Sequence, residues 1–146
     1  MIGIIVTGHG IFADGLTSGL ELLMGEQEAY EAVNFSPEDS IEILTENLTR
    51  ALNSLKDCEG VLMLTDLAGG SPFNVSVRLK SACETPVEVV GGTNLPILLD
   101  ACMSRMSVTD VKELAEASIG EGKEQTFRYV QEQAASSDED EIEFDE

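Results

Sequence analysis

The chain has no tryptophan, two tyrosines, a single histidine, and only eight lysines and arginines against 28 acidic residues. Each shortage removes a class of function. A formal charge of −20 opposes nucleic acids and anionic membranes, whose phosphates would repel the protein, and favours a basic protein partner. So few large rings leave little for a flavin or a base to stack against. No run approaches the roughly 20 apolar residues of a membrane helix. The opening apolar stretch, residues 1–6, lacks the basic flank and cleavage site of a secretory leader, so a soluble, cytoplasmic protein is expected. Cys58, Cys83 and Cys102 are odd in number, far apart and free of CxxC pairing, and read as small apolar core residues rather than zinc or redox ligands. The glycine signatures of dinucleotide and nucleoside-triphosphate sites are absent as well, and no cofactor is expected.

What is present, 146 residues of which 42% are apolar, suffices for one domain with an ordinary core. Charge is uneven along it. Residues 138–146 carry seven acids and no base, and without them the remainder still carries −13. Such an acidic segment buries too little apolar surface to offset its ordering entropy. The expected organisation is one domain over residues 1–130 and an acidic tail over 131–146, disordered from about Ala134.

Within the domain, short β-rich apolar runs alternate with helical patterns, the rhythm of a parallel sheet covered by helices on both faces. Strands are expected at residues 2–7, 30–35, 61–65 and 87–90. The third, Val-Leu-Met-Leu-Thr, has no polar face, as befits a central strand. Between them, Leu16, Leu20, Leu23 and Met24 mark a helix closed by Gly25. Ser36-Pro37 and Ser71-Pro72 each read as an N-cap followed by proline in the first turn. The second helix should bury Ile41, Leu44, Leu48, Leu52 and Leu55, and the third Val75, Leu79, Ala82 and Cys83. Leu95 to Met106 present a fourth, and Thr109 caps a fifth with Val111, Leu114, Ala115 and Ile119. Residues 125–130, rich in Thr, Phe, Tyr and Val, read as an edge strand.

Two polar loops follow apolar strands at their carboxyl ends, where open α/β sheets bind ligands: Thr7-Gly8-His9-Gly10 and Thr65-Asp66-Leu67-Ala68-Gly69-Gly70-Ser71-Pro72-Phe73-Asn74. In a flavodoxin-like, doubly wound sheet of order 2-1-3-4, strands one and three are neighbours. His9 and Asp66 then meet at the topological switch point. A lone histidine is ordinarily a surface or structural residue, but flanking glycines expose this one and an aspartate loop lies beside it. An imidazole that attacks phosphorus through one nitrogen needs the proton held on the other, and Asp66 is placed to accept that N–H. The transferred phosphoryl group requires mostly positioning and electrostatic support. Backbone amides of Gly69, Gly70, Ser71 and Phe73 at a helix start are candidates to supply it, with the Thr65 and Ser71 hydroxyls as further candidates.

The runs IIVTGHG, MGEQE, LTDLAGGSPFN and GGTNLPIL resemble the IIA component of the mannose family of the bacterial sugar phosphotransferase system over about residues 1–130. The resemblance implies a phosphotransferase in which His9 receives a phosphoryl group from the carrier HPr and donates it to a IIB component, with Asp66 as its partner. It also implies a homodimer in which residues 125–130 complete the other subunit's sheet as an antiparallel edge strand. The acidic tail departs from the Ala-Pro linker usual in that family.

Two other classes compete. A receiver-like module would carry phosphate on Asp66 itself, but strand one ends without the acidic pair that holds its magnesium. A non-catalytic nucleotide or flavin module is compatible with the fold, though not with the missing motifs and rings.

Overall fold

A computed structural model describes residues 1–132. Four strands and five helices alternate along it: β1 (Gly3–His9), α1 (Phe12–Met24), β2 (Tyr30–Phe35), α2 (Ile41–Ser54), β3 (Val61–Thr65), α3 (Ser71–Ala82), β4 (Val87–Val90), α4 (Leu95–Ser104) and α5 (Val111–Glu124). The sheet is wholly parallel, in the order β2-β1-β3-β4, so the expected doubly wound α/β architecture is present.

Strand alternation divides the core. Ile2, Ile4, Val6, Leu62 and Leu64 face one side, under α1, α4 and α5, with Leu20, Leu98 and Leu114. Ile5, Val61 and Met63 face the other, under α2 and α3, with Leu44, Leu48 and Val75. Each aliphatic side chain so buried contributes about 1.5–3 kcal/mol. Together they make β1 and β3 the rigid centre from which the two polar loops emerge.

Helix starts differ from the sequence reading in three places. Ser36 does not cap α2: its N–H bonds to the Asp39 carboxylate at 2.9 Å and its carbonyl accepts from Asp39 N–H at 2.9 Å, closing a separate turn. Ser40 is the cap, accepting from Ile43 N–H at 3.1 Å, which leaves Ile41 in an exposed first turn rather than in the core. Asp110, not Thr109, caps α5, its carboxylate accepting from Lys112 N–H at 3.2 Å. Ser71 is the first residue of α3, with Gly70 in the extended cap position. The Gly25 C-cap stands as expected, in the left-handed region at φ 82°.

Leu23, Met103 and Met106 are exposed. Residues 125–130 form no strand within the single chain, and Phe127, Tyr129 and Val130 stand in solvent. The acidic segment from residue 133 onward lies outside the described residues.

Sequence reading gave no role to Arg105, which the fold buries at 3% exposure. Its guanidinium donates to the carbonyls of Ile2 at 2.9 Å, Ala29 at 3.1 Å and Glu28 at 2.6 Å, and to Gln27 Oε1 at 3.4 Å. The MGEQE run is thereby folded around a cation at the amino-terminal edge of the sheet, the pole opposite His9.

Candidate active site

His9 is the last residue of β1, and Asp66 follows the last residue of β3. Because Thr7 and Thr65 are register partners in adjacent parallel strands, both chains leave the sheet side by side at its carboxyl end. Asp66 Oδ2 accepts from the His9 backbone N–H at 2.9 Å and lies 2.9 Å from the ring Nδ1. An ionised carboxylate only accepts, so Nδ1 carries a proton, and in the neutral ring Nε2 holds the lone pair. Burial pushes the Asp66 carboxyl up, but the His9 amide, ring N–H and charge outweigh it and hold it below its ordinary value of 3.8.

Two close approaches require glycine here. A Cβ on Gly8 would stand 2.9 Å from Asp66 Cγ and 2.4 Å from Phe12 Cδ2. One on Gly70 would stand 2.8 Å from His9 Cε1 and 3.5 Å from Nε2. The free nitrogen therefore faces the start of α3, where helix geometry leaves the Ser71 and Phe73 amides without intrahelical acceptors and the dipole favours negative charge. The His9 side chain remains 47% exposed against 15% for Asp66, so the imidazole is reachable while its partner is shielded. Phe35, the register partner of His9 on β2, meets the ring edge-on with centroids 5.9 Å apart.

The loop residues named from the sequence divide by what their polar groups do. Asp66, Gly70 and the first turn of α3 are brought to His9. The Gly70 amide, however, is committed to the Leu67 carbonyl at 3.0 Å, so Gly70 contributes by its missing side chain instead of by donating to an anion. Thr65 is fully buried and its hydroxyl donates to the Val90 carbonyl at 2.7 Å, tying β3 to β4. Gly69 turns the chain at φ 86°, and its carbonyl accepts from Asn74 Nδ2 at 2.9 Å. Phe35 escaped the sequence reading, which gave Gly8 only the part of exposing the histidine and not its close approach to Asp66. Only the β1–β2 register, set by the alternation of Ile4 and Val6 with Ile5, points to Phe35.

These features define a class: a doubly wound α/β domain that presents an aspartate-oriented histidine at its topological switch point, beside a helix amino terminus. The family model described as "PTS system fructose IIA component" matches residues 3–119, and the chain belongs to this family, the IIA components of the fructose and mannose type of phosphotransferase system. It is 36% identical over 123 residues to the mannose-specific EIIAB component of Escherichia coli K12, covering 84% of this chain and 38% of that protein. The chain thus spans under half the length of that relative. Against the fructose-specific EIIA component of Bacillus subtilis it is 33% identical over 105 residues, 72% of this chain and 71% of the other. The crystal structure of the phosphotransferase system component EIIA from Streptococcus agalactiae superposes with a TM-score of 0.82 at 36% identity, covering 88% of this chain and 97% of that one. Among the described residues no helix is long and apolar enough to cross a membrane.

Proposed function

We propose that this chain is a phosphoryl carrier of a bacterial sugar phosphotransferase system, taking the group from phospho-HPr onto Nε2 of His9 and passing it to a IIB component of a mannose-family permease. The observation that carries this reading is the double engagement of Asp66 Oδ2 by His9, which holds a proton on Nδ1 and turns Nε2 toward the start of α3. In the forward step the Nε2 lone pair attacks phosphorus in line. The donor's P–N bond breaks and its electron pair returns to the donor imidazole. The Ser71 and Phe73 amides at the start of α3 take the transferred oxygens in this reading, and Asp66 balances the positive charge that grows on the His9 ring. Onward transfer reverses these roles with the acceptor's nucleophile.

The acidic body favours encounter with basic partners, in the cytoplasm where such carriers act. The exposed Phe127, Tyr129 and Val130 support a homodimer in which residues 125–130 join the β4 edge of the partner subunit. The competing acyl-phosphate reading is disfavoured, since the accessible oxygen of Asp66 is already engaged by His9.

The deciding experiment is incubation with phosphoenolpyruvate, enzyme I and HPr, followed by intact mass measurement of wild type and His9→Ala. One acid-labile phosphate on wild type and none on the variant is the expected result. No phosphate on wild type would return His9 to a structural role.

A further inference from the structure

The GGTNLPIL run has no part in the mechanism above, yet it forms the wall beside Asp66. Gly91 is pressed against the aspartate's loop so closely that a Cβ there would meet Ala68 Cβ at 2.8 Å and Ala68 N at 3.1 Å. Thr93 N–H donates to the carbonyl of Thr65, the residue directly before Asp66, at 3.0 Å. The two loops are therefore locked together at the carboxyl ends of β3 and β4.

Two polar atoms at this junction are buried without a hydrogen-bond partner among the described residues: Asp66 Oδ1 and Thr93 Oγ1. One is an acceptor that lacks a donor, the other a hydroxyl able to donate. A buried carboxylate oxygen left bare is costly, and such orphans call for a partner. Three nearby polar side chains are already engaged. The Thr65 hydroxyl serves Val90, Asn94 Oδ1 caps α4 through Ile97 N–H at 2.9 Å, and Asn74 serves Gly69. Thr7 also has an unpartnered hydroxyl, but it shares the α2/α3 face with Ile5. Asp66 Cγ lies instead against Gly8, on the face of Ile4 and Val6. Thr93, buried at 6% exposure and leading into α4, carries the unpartnered hydroxyl of the segment whose own N–H is tied to the residue before Asp66.

We infer that Thr93 is a positioning residue for Asp66, its hydroxyl reaching Oδ1 through one enclosed water so that Oδ2 stays on His9 Nδ1 and the amide. Thr93 touches neither the phosphoryl group nor the imidazole; it holds the carboxylate plane that selects the ring tautomer. The kinetic consequence rests on the carrier reading, whereas the tautomer consequence does not.

The test compares wild type, Thr93→Val and Thr93→Ser as full chains. His9 is the sole histidine, so its ring nitrogens give an unambiguous ¹⁵N spectrum. At about pH 9, where imidazoles are ordinarily neutral, wild type should show Nδ1 protonated, and Thr93→Val should show a mixture of tautomers. Single-turnover phosphorylation by phospho-HPr should slow by about five- to tenfold in Thr93→Val, the scale of one net hydrogen bond, and recover in Thr93→Ser. An unchanged spectrum in Thr93→Val overturns the inference. Loss of rate in both variants alike also overturns it, since packing and not the hydroxyl would then be responsible. Should wild type fail to accept phosphate, the carrier reading falls, and the tautomer ratio still decides the role of Thr93.

Discussion

Replacing Asp66 with asparagine keeps the shape of the side chain and removes its charge. In the wild-type protein one oxygen serves two donors of His9, each at 2.9 Å. A hydrogen bond to an ionised acceptor is worth about 1.5–3 kcal/mol and one to a neutral acceptor about 0.5–1.5. The amide contact exists throughout the reaction, but the ring contact strengthens as the imidazole gains positive charge in forming its bond to phosphorus. Losing the ionic part of that one contact costs about 1.5 kcal/mol of barrier, roughly a tenfold slower transfer. This is a minimum: if the asparagine NH₂ turns toward Nδ1, the ring proton moves to Nε2 and the nucleophilic lone pair is lost. Quenched-flow measurement of phosphate uptake from phospho-HPr in a single turnover reads the rate directly, with a thermal melt to show that the variant is folded. A folded Asp66→Asn protein accepting phosphate within twofold of the wild-type rate would refute the role given to Asp66.

Acid should expose the same contact thermodynamically. A carboxyl held below 3.8 in the folded chain binds fewer protons folded than unfolded. The stability it contributes is then fully present above its unfolded value and lost as pH falls through the lower folded one. The stability advantage of wild type over Asp66→Asn in urea titrations should accordingly hold at pH 6 and shrink below about pH 4, and an advantage constant down to pH 2 would contradict the assignment. At Gly70 the backbone lies at φ −77°, so alanine brings no backbone strain, but its methyl would stand 2.8 Å from the imidazole. Gly70→Ala should displace the ring and slow transfer more than tenfold while the melting temperature moves by only a few degrees; normal transfer would show that the ring need not lie against α3. Arg105→Ala strips the donor from three main-chain carbonyls in a buried site and should cost about 3–5 kcal/mol, read as a lower urea midpoint. A loss under 1 kcal/mol would mean that solvent readily replaces the guanidinium.

The residues by themselves determined the alternation of strands and helices, because Ile, Val and Leu at periods of two and of three to four state which face of each element must leave water. The all-apolar β3 placed itself at the centre for the same reason. His9 and Asp66 were legible because both follow apolar strands, and a doubly wound sheet brings its strand ends to one edge. Helix caps at Ser40 and Asp110 were misplaced by one to four residues, since Ser36 and Thr109 have capping chemistry too and only the path of the chain decides which side chain reaches an amide. Tertiary structure alone committed the Thr65 hydroxyl to Val90 and the Gly70 amide to Leu67, turned Gly70 toward the imidazole, set Phe35 against it and buried Arg105 among the carbonyls of a distant loop. Those outcomes depend on distances of about 3 Å between residues up to 103 positions apart, and sequence periodicity carries the direction of a side chain but not the separation of its atoms from a partner elsewhere in the fold.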